Sequence, residues 1–354
     1  MPRSATTKPY SLRSFVLTQG SRVSGRLCGR CFLTKWTLAL IASLALSGCD
    51  RPDPFVHRDT RVLMGTVVEI TASGDNEQAL RGAVDAAYAE MERLIGIMSH
   101  YDEASAVSAV SRAAGRAPVK VPTELMTVLQ MGQRVSERSD GAFDVTIGGL
   151  KGWQFDPARP RAASPAEIAS QRPNVDYRRL RLDPAAGTAF LERPGMRLDL
   201  GAIAKLPIVA AAMDTLERHG IGNAMINGGG DVQVRGRMQG RPWRVGIRDG
   251  HRPGELYAAL PLTHGFVVSS GDYERRFERG GKRYHHILDP RTGYPVEGVN
   301  GVTLVAERLE DVNGLSAAVM VLGPDKGRQL IERTPGLEGI IFASDGGTWV
   351  SPSL

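Results

Sequence analysis

Several glycine- and aspartate-bearing turns hold the residues of this chain that could do chemistry. The densest is Asn227-Gly228-Gly229-Gly230-Asp231. Consecutive glycines let backbone N–H groups approach a phosphate closely, although a tight turn explains such a run as well. No Gly-Lys-Ser/Thr follows, so it is not a Walker loop, and it lacks the G-x-G-x-x-G register of a dinucleotide fingerprint. A second turn, His285-His286-Ile287-Leu288-Asp289-Pro290-Arg291-Thr292-Gly293, joins imidazole, carboxylate, guanidinium and hydroxyl. Arg291 could brace a phosphate bidentately and a histidine could move a proton. A polar β-turn is the plainer reading. Adjacent histidines on a strand point to opposite faces, so at most one enters a given pocket. In a third turn, Asp199-Leu200-Gly201-Ala202-Ile203-Ala204-Lys205, a carboxylate and an ammonium flank a short loop, which a structural ion pair between them would also explain. No His-x-x-x-His pair or His/Cys cluster supports zinc, and the oxygen-rich turns suit Mg²⁺ better. No Gly-x-Ser-x-Gly elbow is present. By themselves these residues point to a phosphate-containing ligand with a hard metal.

Regular elements must position the turns. Alternating β-branched residues predict a strand over residues 61–72, with Met64-Gly65-Thr66 at its start. Leu80, Val84, Ala87, Tyr88, Met91, Leu94 and Ile95 predict a helix over residues 77–98. A second helix is expected over 123–139 with Thr123 as its N-cap. Residues 158–173, rich in Pro, Arg and Ala, read as an exposed insertion. Short strands are expected at 178–182, 189–191 and 197–200. A helix follows over 206–219, with Pro207 in its first turn and Gly220 as its stop. Strands at 224–227, 232–237, 243–247, 257–262 and 265–269 come next, then a hairpin around Gly280-Gly281. A strand at 302–306, helices at 312–322 and 326–333, and a hairpin over 340–350 complete the chain. Helices mixed with antiparallel strands, without a regular βαβ repeat, argue an α+β fold.

The chain has 354 residues, with 44 Lys+Arg against 38 Asp+Glu and a formal charge of +6. That balance suggests nucleic acid or acidic lipid until its location is read. Arg3, Lys8, Arg13, Arg22, Arg26, Arg30 and Lys35 lie in residues 1–48 with no acid among them, which leaves the rest near −1. Lys35 precedes a short apolar run over 36–46, the layout of an export signal and short of the roughly 20 residues that span a bilayer. The run ends in Leu46-Ser47-Gly48-Cys49, which resembles the lipobox of bacterial lipoproteins; a plain signal or a buried helix is the alternative. The expected organisation is a signal peptide over 1–48, a lipidated tether over 49–58 and a single domain over 59–354. Acyl chains on Cys49 would anchor it to the membrane. Asp50 resembles an inner-membrane retention signal, so the expected location is the periplasmic side of the inner membrane. The other two cysteines, Cys28 and Cys31, fall in the leader, so neither a disulfide nor a thiolate metal site is expected in the domain.

Seven pieces in sequence order resemble the ApbE-type FAD:protein FMN transferases. They are Met64-Gly65-Thr66, Ser99-His100-Tyr101, Ser139-Asp140-Gly141-Ala142-Phe143-Asp144, the 199–205 turn, the 227–231 turn, Ser269-Ser270-Gly271-Asp272-Tyr273 and residues 286–295. The resemblance implies a T-fold-related α+β domain with mixed, mostly antiparallel sheets and packed helices. It implies FAD as substrate, Mg²⁺, and transfer of FMN to a Thr hydroxyl of an acceptor protein with release of AMP. Met64, Tyr101, Ala142, Phe143 and Asp144 would hold the flavin or its adenylate portion, and Asp199 and Lys205 would contact FAD. Gly229, Gly230, Asp231, Ile287 and Arg291 would line the same cofactor, with His286 placed as the base. Metal ligands would be the Ala202 carbonyl, Asn313 and Ala317. The acceptor implied is a membrane-bound electron-transfer subunit, with no role for nucleic acid.

Two departures from the family pattern stand out. Where the family reads Asp-Ala-x-x-Thr, with Asp and Thr as metal ligands, this chain reads Asn313-Gly314-Leu315-Ser316-Ala317. Fewer charges should hold a hard dication more weakly. Asp311, two residues upstream, would need a local shift to compensate. The second departure is Lys205-Leu206-Pro207 in place of Lys-Gly-aromatic, with Ala210 replacing a following Asp. These changes keep two other readings in view: an FAD-binding lipoprotein with little catalysis, and a Mg²⁺-dependent FAD pyrophosphatase.

Overall fold

The computed structural model describes residues 54–354. The expected leader, Cys28, Cys31 and Cys49 lie outside them. Strands β1 (Phe55–Leu63), β2 (Thr66–Gly74), β6 (Asn223–Gly228), β7 (Val232–Arg235), β10 (His264–Gly271), β13 (Val299–Ala306), β14 (Leu337–Ala343) and β15 (Thr348–Val350) follow one another across a sheet of eight. Every neighbouring pair in it is antiparallel. Three small antiparallel sheets accompany it: β3 (Val119–Lys120) with β5 (Thr188–Leu191) and β4 (Leu180–Asp183), β8 (Trp243–Arg248) with β9 (Leu256–Leu262), and β11 (Arg276–Arg279) with β12 (Lys282–His285). The helices are α1 (Glu77–Met98), α2 (Ala106–Arg112), α3 (Thr123–Arg138), α4 (Pro165–Gln171), α5 (Lys205–Arg218), α6 (Leu309–Val312) and α7 (Leu315–Glu332).

The two faces of the sheet are covered differently. Helices α1, α5 and α7 pack on one, where Ile70, Leu80, Tyr88, Met91, Val209, Met213, Leu304 and Val319 are buried in the main core. The β8–β9 ribbon covers the other, burying Trp243, Val245 and Ile247 against Val232, Val234 and Phe342. Strand alternation makes the division visible: Phe266 and Val268 join the helical core, whereas Val267 between them joins the ribbon. Each fully buried side chain of this size contributes about 1.5–3 kcal/mol of transfer free energy.

The α+β expectation holds, and its local errors have physical reasons. The strand expected over 61–72 is a hairpin. Met64 (φ 55°) and Gly65 (φ 70°) form its two-residue turn, both left-handed as a type I′ connection requires. Strand β1 starts at Phe55, so the end of the expected tether is paired to β2. The N-cap of α3 is Pro122, not Thr123, and makes no side-chain cap. Helix α4 sits inside the expected insertion, started by a Ser164/Glu167 capping box. Residues 197–200 are not a strand. Asp199 N–H donates to Val145 O at 2.8 Å and Leu198 N–H to Ser111 Oγ at 3.1 Å, so a loop and a side chain replace a neighbouring strand. The 312–322 helix starts only at Leu315, after Gly314 in a left-handed conformation (φ 76°).

Candidate active site

Antiparallel pairing brings two turns and a strand end to one end of the large sheet. The β1–β2 turn, the 228–231 turn after β6 and the far end of β10 are set there by the registers Val68 opposite Gly228 and Val267 opposite Val232. Gly228 N–H donates to Asp231 O at 2.8 Å and Gly230 N–H to Asn227 Oδ1 at 2.9 Å, closing the glycine turn. Gly229 (φ 72°) packs so closely on the β1–β2 turn that a Cβ would collide with Thr66 Oγ1. Met64 reaches the same place, its Cε being 3.8 Å from where a Cβ of Gly228 would stand.

Lys205, the first residue of α5, places Nζ 2.6 Å from Asp231 Oδ2. The expected Asp199–Lys205 pair is therefore not formed. Asp199 Oδ1 accepts from Gly201 N–H at 2.8 Å and lies 3.3 Å from His100 Nδ1. The His100 ring in turn sits 3.9 Å from that of Tyr101, which is 77% exposed.

His286 is anchored by its N–H to Arg275 O at 3.1 Å. Its Nδ1 is enclosed and makes no hydrogen bond. Burial first, then the charge of Arg275, with smaller contributions from His285 and Lys205, holds its pKa down at about 3. The imidazole is neutral at neutral pH. His285 points elsewhere: Nε2 meets Val296 O at 2.9 Å, and burial lowers its pKa also. Ile287 is buried and pairs with Val296 across the turn. Arg291 departs from expectation. Its Nε and Nη2 fork onto Asp289 at 2.9 and 2.8 Å, so the guanidinium is committed to its own turn.

Ala142, Phe143 and Asp144 are buried. Asp144 accepts from Thr146 N–H and Oγ1 at 2.7 and 2.6 Å and from Tyr177 N–H at 2.7 Å, bonds that oppose the upward pull of burial on its pKa. These residues pack the wall; the Asp144 carboxylate is already satisfied by protein donors. Phe143 lies against Gly314, where Ile203 also comes within contact distance. That contact brings the start of α7 to the 199–205 turn.

The expected metal set converges in space but not in chemistry. Ala202 is exposed at the turn, and Asn313, 3% exposed, donates through Nδ2 to Ile203 O at 3.0 Å. Ala317 has no side-chain oxygen, and helical carbonyls are committed to the ladder. Asp311 does not compensate, since its carboxylate faces Arg308 Nε at 3.5 Å. Among the described residues no cluster of three His, Cys, Asp or Glu could hold a metal. Two neutral oxygens without a carboxylate do not make a Mg²⁺ cage.

His100, Asn227, Thr66 and Arg275 were not singled out by their sequence. The first three sit inside or beside the motifs quoted above, which was their only signal; Arg275 had none.

A glycine turn and a lysine–carboxylate pair at one end of an antiparallel sheet, with a neutral histidine close enough to feel the lysine's charge, define an α+β protein with a polar candidate site. The chain belongs to the ApbE family, whose sequence pattern matches residues 64–341. It is 32% identical to the FAD:protein FMN transferase of Klebsiella pneumoniae (strain 342), over 83% of this chain and 91% of that one. With the FAD:protein FMN transferase of Treponema pallidum it shares 31% identity over 80% and 83%. The crystal structure of the ApbE protein of Thermotoga maritima superposes with a TM-score of 0.78 at 31% identity, over 84% of this chain and 98% of that one. The flavin transferase ApbE of Vibrio cholerae gives 0.73 at 27%, over 85% and 98%.

Proposed function

We propose that this chain is an FAD:protein FMN transferase. The observation that carries the reading is the Lys205–Asp231 contact at 2.6 Å. It joins two turns separate in sequence beside His286, in a chain that aligns along most of its length with transferases of that name. In the proposed reaction the hydroxyl oxygen of an acceptor Thr bonds to the FMN-side phosphorus of FAD. The P–O bond to AMP breaks, AMP keeps that electron pair, and the hydroxyl proton passes to a base. Positioning and charge neutralisation supply most of such a phosphoryl-type step.

The residues divide the work. Lys205 and the Gly229 amide face the pyrophosphate, the Gly230 amide holds the turn through Asn227, and Asp231 and Asp199 fix the two turns. Met64 and the exposed ring of Tyr101 offer surfaces to the flavin or adenine. His286 is kept neutral and able to take the proton; an anionic pyrophosphate beside it would raise its basicity. No step is assigned to Mg²⁺, since the residues present do not make its cage. The acceptor is proposed to be a membrane electron-transfer subunit. Cys49, through the lipobox that precedes it, would hold the enzyme on the periplasmic side of the inner membrane.

The test is to incubate the protein with FAD and a Thr-bearing acceptor fragment, then follow AMP and covalent flavin fluorescence. Labelled acceptor with equimolar AMP is the expected result. AMP with free FMN would replace transfer by hydrolysis, and bound FAD without AMP would leave a binding protein.

A further inference from the structure

We propose that Asn313 and Pro207 form a compensating pair that holds the 202–205 turn by a hydrogen bond where the family uses a metal bridge. Asn313 is buried, with Nδ2 3.0 Å from Ile203 O and 3.7 Å from Met131 Sδ. Ile203 O can only accept, so the amide atom facing it is the nitrogen. Both of its hydrogens then have acceptors.

The need for this donor comes from α5. Ala204 is the N-cap, and its carbonyl takes Ile208 N–H at 3.2 Å. One step back, the helical partner of Ile203 O would be the N–H of residue 207. That residue is Pro207, which has none. The Asn313 amide supplies the missing donor from the start of α7. A carboxylate at 313 would set lone pairs against lone pairs and strand a buried carbonyl. Asn313 and Pro207, one residue from each departure from the family pattern, are thus linked. The consequence is that the turn leading into Lys205 needs no cation to keep its shape.

Resting on the FAD site proposed above, this makes FAD binding insensitive to divalent-ion removal. Four proteins test it: the wild type, N313D, P207A and the double variant. Each is measured in EDTA and in Mg²⁺ for its unfolding temperature without FAD and for its FAD Kd. The wild type is expected to change neither quantity between the two conditions. N313D should unfold at a lower temperature in EDTA, bind FAD about tenfold more weakly there, and recover both in Mg²⁺. P207A, which returns an N–H to Ile203 O, should remove most of the N313D loss in EDTA. A wild type destabilised by EDTA, or an N313D loss unchanged in the P207A background, overturns the proposal. Were FAD to bind none of the four, the flavin site would be wrong, and the FAD-free unfolding cycle would still decide the pair.

Discussion

Lys205 Nζ stands 2.6 Å from Asp231 Oδ2, yet the two partners differ in access to water, the ammonium being 30% exposed and the carboxylate 8%. Removing either one therefore has unequal consequences. Lys205→Met strands a nearly sealed carboxylate and is expected to lower stability by about 2–4 kcal/mol. Asp231→Asn leaves an ammonium that can turn to water and should lower it by about 1 kcal/mol. Urea denaturation of both variants checks the order, and equal losses would refute the asymmetry. AMP release should fall about 100-fold in Lys205→Met, the scale of one lost electrostatic stabiliser.

His286 adds to the slope on the acid side of the stability profile, together with His285, whose pKa burial also lowers. The folded His286 pKa of about 3 lies below the unfolded 6.5, so the unfolded chain binds more protons between those limits. Stability is accordingly expected to fall as pH drops from 6.5 toward 3, by at most about 1.4 kcal/mol per unit from this residue. His286→Asn should flatten that limb without altering stability above pH 7 by the same route. Unfolding temperatures across pH 3–8 would show it, and parallel curves for both proteins would exclude the assignment.

Gly229 has no room for a methyl group. With φ at 72° and Thr66 Oγ1 in the way, Gly229→Ala is expected to destabilise by about 1–3 kcal/mol and to weaken FAD binding. Adding Thr66→Ala should return part of the loss by clearing the clash, while the strain of the left-handed backbone stays. A Gly229→Ala protein as stable as wild type in urea would contradict the packing.

Cys49 is expected to carry lipid. Labelled palmitate should enter the wild-type chain in a bacterial host and be absent from Cys49→Ser, which should leave the membrane fraction. Equal labelling of the two would place the modification elsewhere.

The sequence showed what is local and hid what is not. Helix α1 was legible to its ends because its apolar stripe is regular and Asn76 caps it. Helix α4 was missed although Ser164 and Glu167 spell a capping box, because the Pro- and Arg-rich composition around it outweighed four informative positions. Strand β1 was missed because it is an edge strand with much of its surface exposed, so no hydrophobic alternation marks it. In the site, each turn was visible from its own residues. The pairing of Lys205 with Asp231, not Asp199, depended on strand register, and the service of Asn313 to Ile203 depended on a proline in another helix. The Arg291 fork onto Asp289 lay open to sequence reasoning, since that partner is only two residues away.

Strand β1 begins at Phe55, which leaves only residues 50–54 between Cys49 and the first paired strand. Fully extended, that leash reaches about 20 Å. A lipid on Cys49 would then confine the catalytic domain to a thin shell above the bilayer. Were the proposed acceptor embedded in the same membrane, meeting it would become a search in two dimensions, with an effective concentration set by the leash and not by the volume of the compartment. Soluble proteins bearing a similar threonine would be disfavoured by geometry before any specificity of the site is called upon.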